Sequence, residues 1–257
     1  DFCALGKYNL CERLSALAYD FDGGFAEYVR IPSGIIEIGG LSIIDKSVLD
    51  SATLTEPLSC VVNSVEKTSK LLDHKTDFSV VVIGVGIMGL MHVILFRKFS
   101  SAGNIIAVDL VDGRLNYAKK FGADYIINAS KESVVERIQD ITDGKGVDAV
   151  VVSVGSKSAI ESAINFIKPL GVLNIFAGTV PNETITLKPN YIHYGERIVT
   201  WSYGSTIYQF RVALDIIRQE RKLFEEIITH RYKLEDIIEG FRTAMELKGL
   251  KVLIYPS

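Results

Sequence analysis

The chain has 257 residues, 48% of them hydrophobic and 23% charged, with a formal net charge of −3 and a pI near 5.9. This is the composition of a globular protein with apolar residues for one large core or two smaller ones, and no basic run or basic amphipathic helix points to nucleic acid. Three cysteines make no disulfide framework and fit a reducing compartment, or metal and thiol chemistry, better than a secreted scaffold. The opening DFCALGKYNLCERL lacks the basic and apolar regions of a secretory leader, so a cytoplasmic location is expected; Asp1 in place of Met leaves open where the gene product begins.

In chain order, GGFAEYVRIP (23–32) has a Gly-Gly turn ahead of a short predicted strand, with Pro32 after it. The next distinctive stretch is FSVVVIGVGIMGLMHVILF (78–96), which contains no carboxylate, lysine or arginine. It has the length of a membrane span, about 20 residues. Its composition argues otherwise. Phe78 to Ile83 is a continuous, largely β-branched run suited to a strand buried on both faces, and MGLMHVILF has helix-compatible Met and Leu. Between them stand Gly84, Gly86 and Gly89, spaced G-x-G-x-x-G. The segment is therefore a strand, SVVVIG (79–84), then a turn, then a helix over 87–99. Further strands are predicted at NIIAVD (104–109), YIIN (125–128), DAVVVSVG (148–155), VLNIFAG (172–178) and RIVTWS (197–202), with helices near 112–121, 131–141 and 157–168. Six strands alternating with helices imply an α/β fold, a doubly wound parallel six-stranded sheet in the order 3-2-1-4-5-6 with its ligand at the carboxyl ends of the strands. A helix near 207–220, the segment ITHRYKLEDIIEGFRTAMELK and a final strand in KVLIYP follow. In the last helix Leu234, Ile237, Ile238, Phe241 and Met245 recur at helical spacing and are expected in the core.

The glycine triplet alone is a weak signal. A strand before it, a helix after it and Asp109, 20 residues beyond Gly89, make it the fingerprint of a dinucleotide turn. Gly84 permits the tight turn, Gly86 lets the backbone approach a pyrophosphate, and Gly89 allows close helix–strand packing. The helix start, with Ile87 and Met88, offers free N–H groups and a partial positive charge to phosphates. Asp109 would accept hydrogen bonds from ribose hydroxyls, and its charge repels a 2′-phosphate, which favours NAD over NADP. Arg114 has two readings: packing on the adenine, or partly offsetting that charge. Val154 and Gly155, ending the fourth strand, and Ala177 and Gly178, ending the fifth, would border the cofactor; taken singly, each glycine is as good a turn residue. A structural βαβ unit without ligand is the alternative.

GGFAEYVRIP, LTEPLSCVVNSVEK, the glycine stretch, VDLVDGRLNYAKKFGADYIIN, and ITHRYKLEDIIEGF followed by KVLIYP stand in one order over essentially the whole chain. In this the chain resembles the zinc-dependent medium-chain alcohol and polyol dehydrogenase family, nearest its sorbitol, galactitol-phosphate and threonine dehydrogenase branches. The resemblance implies a Rossmann domain inserted in a GroES-like, β-rich catalytic domain that is incomplete here. Residues 1–60 would be the remainder of the catalytic domain with part of a structural zinc lobe, 61–200 the NAD-binding domain, and 201–257 the return to the catalytic domain.

Cys3 and Cys11 are separated like the last two of the four cysteines that bind the family's structural zinc; the first two would lie upstream of Asp1. Glu56, in TEPLSC, matches the glutamate at the catalytic zinc of the polyol branch, which ligates the metal directly or through water. The other family ligands, a Cys and a His-Glu pair, would also lie upstream. No substitute is read among His74, His92, His193 and His230; His92 is expected as a packing or surface residue and His230 in a structural hydrogen bond. Cys60 is expected as a small buried core cysteine in preference to a nicotinamide-pocket residue. One departure is Trp201-Ser202, where the family often has Gly-Ser.

For the full-length parent the resemblance implies hydride transfer from a small-molecule secondary alcohol or polyol to NAD, giving a ketone and NADH, with zinc acting on the substrate hydroxyl. It also implies a homodimer or homotetramer with RIVTWSY as the paired edge, and no membrane partner. Two other readings remain. One is a catalytically incomplete NAD-binding or oligomerisation fragment, since the ligand set is missing. The other is a zinc-free, NADPH-dependent relative of the quinone reductases, against which Asp109, Glu56 and the Cys3/Cys11 pair argue.

Overall fold

The computed structural model describes every residue except Asp1, His74 and Ser257. Its elements are α1 (Ser33–Glu37), α2 (Leu49–Ala52), α3 (Thr55–Leu71), β1 (Phe78–Ile83), α4 (Ile87–Phe99), β2 (Ala102–Asp109), α5 (Asp112–Lys120), β3 (Tyr125–Asn128), α6 (Val134–Ile141), β4 (Val147–Val152), α7 (Lys157–Ala163), β5 (Ile167–Ile175), α8 (Pro189–Tyr194), β6 (Ile198–Trp201), α9 (Ile207–Gln219), α10 (Arg221–Ile227), β7 (Ile228–Lys233), α11 (Ile237–Met245) and β8 (Lys251–Tyr255). They form two compact units, one of Asp1–Cys60 with Gly204–Ser257 and one of Val61–Tyr203.

The second unit is a wholly parallel sheet in the order β3-β2-β1-β4-β5-β6. The Rossmann order read from the strand–helix alternation is the one found. Its central strands, FSVVVI and VDAVVV, are almost continuously buried, which is what β-branched runs do when helices cover both faces of a parallel sheet. Helix α4 is apolar on all sides because it too is enclosed: Gly89 through Phe96 are all buried. Burial in the sheet unit thus explains the lack of charge in 78–96, and no helix among the described residues is long and apolar enough to cross a membrane. The strand predicted through Gly155 stops at Val152. Ser153 N–H still donates to the Ile83 carbonyl (2.8 Å), after which the chain turns away, with Ser156 N–H closing on the Val154 carbonyl (2.8 Å).

At the amino end of this sheet one buried carboxylate ties several segments together. Asp148, at the start of β4, pairs with Lys75 (2.6 Å) and Lys168 (2.7 Å) and accepts from the Ser79 N–H (2.8 Å) and hydroxyl (2.9 Å). Burial alone would raise its pKa. The Lys168 and Lys75 ammonium groups, with Ser79, outweigh that and hold it at about 2.

In the first unit β7 and β8 make a two-stranded parallel ribbon. Helix α11 approaches it through Gly240 and Thr243: a Cβ on Gly240 would stand 2.7 Å from Ile254 Cδ1, and the Thr243 and Tyr232 hydroxyls are 2.8 Å apart. This corrects the expected core face. The small residues face the ribbon, so Ile238, Phe241 and Met245 are exposed, at 68%, 49% and 80%. The strand expected over 23–32 is also absent. Those residues are irregular, and none of the described strands pairs with them; an extended segment without a partner leaves its N–H and C=O groups to water. Phe25 instead meets the Phe241 ring edge-on at 5.5 Å.

Candidate functional site

The site is built at the carboxyl ends of β1, β2, β4 and β5. Gly84 leaves β1 with φ +81°, and its N–H donates to the Val108 carbonyl (2.8 Å). This left-handed conformation favours glycine, and Val154 fills the space beside it, 3.0 Å from where a Cβ would be. Gly86 begins α4 with no side-chain cap, and α4 has no acidic residue in its first turn. The first-turn N–H groups, those of Ile87, Met88 and Gly89 included, therefore have no side-chain acceptor competing for them. A Cβ on Gly89 would lie 1.8 Å from the Gly84 carbonyl oxygen, so the helix and the turn can meet this closely only at glycine.

Asp109 ends β2 and is 8% exposed. One oxygen, Oδ2, accepts from the Val85 N–H inside the glycine turn (2.8 Å); the other, Oδ1, accepts from the Leu110 (2.8 Å) and Val111 (3.0 Å) N–H groups. The carboxylate thus fixes the turn as well as facing it, a role beyond the one expected from sequence. Arg114 brings a guanidinium nitrogen 3.9 Å from Asp109 Oδ2 and equally close to the open side of Gly86. At the neighbouring strand ends, a Cβ on Gly155 would meet the Gly178 carbonyl oxygen at 2.3 Å, and Ala177 N–H donates to the Val152 carbonyl (3.1 Å). Gly178 has open space where its Cβ would be. The residues expected to line the cofactor thus stand close together at neighbouring strand ends.

That turn has a polar underside that sequence reasoning missed. Ser153, beside Gly89, lies 3.4 Å from His92 Nδ1, and His92 is fully buried. Nothing in the apolar pattern of 78–96 separates a hydrogen-bonded histidine from a packing residue. The only trace is a polar Ser153 where a strand was predicted to continue.

The metal candidates belong to the first unit. Glu56 is exposed in the first turn of α3, with the Cys60 thiol donating to it across 3.7 Å. Cys60 is half-buried, and burial, then the Glu56 charge, pushes its thiol up to about 11. The exposed Cys3 and half-exposed Cys11 are hydrogen-bond partners, a contact that raises the Cys3 pKa and lowers that of Cys11. A closed zinc site takes four ligands and a catalytic one three from protein. Among the described residues no three His, Cys, Asp or Glu side chains are placed to hold a metal, so two thiols and one carboxylate do not fit either zinc centre. Of the histidines, His230 bonds the Thr229 hydroxyl (3.0 Å), as a structural residue would, and His74 lies outside the described residues.

Comparison with known proteins agrees with this geometry. A family model described as zinc-binding dehydrogenase matches residues 84–219, more than half of the chain. An L-threonine 3-dehydrogenase from Pyrococcus horikoshii is 32% identical over 232 residues, covering 90% of this chain and 64% of its own length. A sorbitol dehydrogenase from Bacillus subtilis is 30% identical over 260 residues, covering 99% of this chain and 70% of its own. The crystal structure of a zinc-binding dehydrogenase from Sinorhizobium meliloti 1021 bound to NADP superposes with a TM-score of 0.86 at 25% identity, covering 99% of this chain and 72% of that one. The chain thus spans only about two thirds of the length of such relatives. With its sheet order, its glycine turn and these matches, it belongs to the family of zinc-binding, medium-chain alcohol and polyol dehydrogenases.

Proposed function

We propose that this chain is the dinucleotide-binding portion of a dehydrogenase that moves a hydride between a secondary alcohol or polyol and NAD. The observation that carries the reading is the glycine turn: an uncapped helix start packed on Gly84 through Gly89, closed by Asp109 on the Val85 N–H. Bound NAD would supply the hydride acceptor. The chain's own contribution is to hold it. The α4 start and Gly86 would receive the pyrophosphate and Asp109 the adenosine ribose, with Arg114 packing on the adenine or offsetting the Asp109 charge, and Val154, Gly155, Ala177 and Gly178 would border the nicotinamide side. Threonine and sorbitol, named for two relatives, both carry secondary hydroxyl groups, which supports that substrate class.

The Asp109 charge supports NAD over NADP, although a structural neighbour binds NADP and Arg114 offsets part of the charge. Fluorescence titration with NADH and NADPH decides: tighter NADPH binding overturns the cofactor assignment, and no binding of either overturns the dinucleotide reading. Turnover is tested by NADH formation with secondary alcohols and polyols, with and without a chelator. The incomplete ligand set favours a second reading, a module that binds NAD without turning over alone; NADH binding without NADH formation is its signature. We also read a cytoplasmic protein, from its free thiols, and a homodimer or homotetramer using the sheet edge at β6, where Trp201 is 53% exposed. A monomeric mass in light scattering would remove the oligomer.

A further inference from the structure

The sheet unit buries one titratable side chain that the dinucleotide reading leaves unused. His92, on α4, is fully buried, its ring meeting those of Phe96 at 6.3 Å and Phe176 at 4.7 Å. Both ring nitrogens are engaged. Nδ1 is 2.9 Å from the Met88 carbonyl oxygen and 3.4 Å from Ser153 Oγ, and Nε2 is 2.9 Å from Ser64 Oγ. A carbonyl can only accept, so Nδ1 carries the proton and Nε2 accepts from the Ser64 hydroxyl. Ser64 Oγ accepts in turn from Asn174 Nδ2 (3.2 Å), which also donates to Thr68 Oγ1 (2.9 Å); Asn174 Oδ1 accepts from Ser202 (3.1 Å). In this assignment the His92, Ser64, Asn174, Thr68 and Ser202 side-chain donors each find an acceptor, and among the described residues no buried side-chain nitrogen or oxygen is left unpaired. Burial takes the His92 pKa down to about 4, which keeps the ring neutral and the direction of each bond fixed.

Of the two groups facing Nδ1, one belongs to the helix start of the dinucleotide turn and the other lies beside that turn. Met88 is the second residue of α4, and Ser153 Cβ lies 3.5 Å from where a Gly89 Cβ would be. The Nε2 arm reaches α3 instead. We propose that His92 is a positioning residue for the dinucleotide, its Nδ1–H fixing the first turn of α4 against the β4 exit at Ser153 while Ser64 holds the ring from behind. The proposal rests on the dinucleotide reading and adds to it a residue that never touches the cofactor.

The two arms can be cut separately. In His92→Asn the side-chain amide reaches the place of Nδ1 and keeps a donor to Met88 and Ser153, but loses Ser64. His92→Gln keeps a polar group near Nε2 and loses the donor to the turn. Both remove buried bonds, so both lower the melting temperature. NADH titration of the 257-residue chain separates them: H92N should bind within about twofold of the unaltered chain and H92Q about tenfold more weakly. Ser153→Ala, which leaves α4 intact, should weaken NADH by about threefold. If the unaltered chain binds NADH and the two His92 variants bind it alike, or S153A binds unchanged, the positioning role is wrong and His92 is structural only. If the unaltered chain does not bind NADH, the dinucleotide reading falls and this inference with it.

Discussion

The two ends of the parallel sheet each hold a buried aspartate, and the two are used in opposite ways. At the amino end Asp148 is met by side chains: two lysine ammonium groups and the Ser79 hydroxyl, with one backbone N–H. At the carboxyl end Asp109 is met by three backbone N–H groups, and its nearest cation, Arg114, stands off at 3.9 Å. The first arrangement satisfies a charge completely and leaves nothing for a ligand. The second spends a charge on shaping a loop that leads into a helix start whose N–H groups have no side-chain acceptor. In an open α/β sheet both ends have the same strands and the same core, so the difference lies in what the loops bond to.

That contrast can be broken from either end. The largest effect is expected at Gly89→Ala, whose Cβ has no room against the Gly84 carbonyl: NADH binding should vanish and stability drop by at least about 3 kcal/mol in denaturant titration. Retained NADH binding would show that close helix–turn packing is not what makes the site.

Acid unfolding separates the ends next. His92, beneath the carboxyl end, has its folded pKa depressed from 6.5 to about 4, so the unfolded chain binds the extra proton in that window. Stability is therefore full above pH 6.5 and falls on the way down to 4, by up to about 3 kcal/mol, and His92→Asn should flatten this slope. Asp148, at the amino end, is depressed from 3.8 to about 2; its contribution of roughly 2 kcal/mol is present above pH 4 and is lost as the pH falls through 2. Asp148→Asn should accordingly cost about 2 kcal/mol at neutral pH and leave NADH affinity unchanged. A variant that weakened NADH would mean the two ends are coupled through the strands. The smallest effect belongs to Arg114→Ala. Removing the cation leaves Asp109 unopposed, so the ratio of NADH to NADPH affinity should rise by about threefold. An unchanged or falling ratio would mean that Arg114 does not offset the Asp109 charge.

The sheet was legible because its signals are local and repeated. Apolar β-branched runs bounded by glycine set β1, β3 and β4, helix α4 begins and ends where its pattern does, and alternation alone implied the strand order. The glycine turn was legible because glycine is demanded there by geometry a Cβ cannot share. What periodicity could not give was polar pairing across long separations. Asp148 with Ser79, and His92 with Ser64, are bonds 69 and 28 residues apart with no spacing rule behind them. Periodicity also misjudged α11. It identifies an apolar stripe without saying that Gly240 and Thr243, and not Phe241 and Met245, would meet the ribbon.

The pairing of β1 with β4 has a consequence in time. Every other neighbouring pair in the sheet is joined through a single strand–helix–strand unit, whereas Val80 meets Ala149 across three of them. The sheet is thus two chain-local halves and one long-range junction, and closing the larger loop is the slower event. The Ser153 N–H bond to Ile83 forms at this junction, beside the glycine turn. Refolding followed by two probes should show helical signal returning first and NADH fluorescence later, in a single slow phase that Gly89→Ala abolishes. The capacity to hold a cofactor would then be the last thing this sheet acquires.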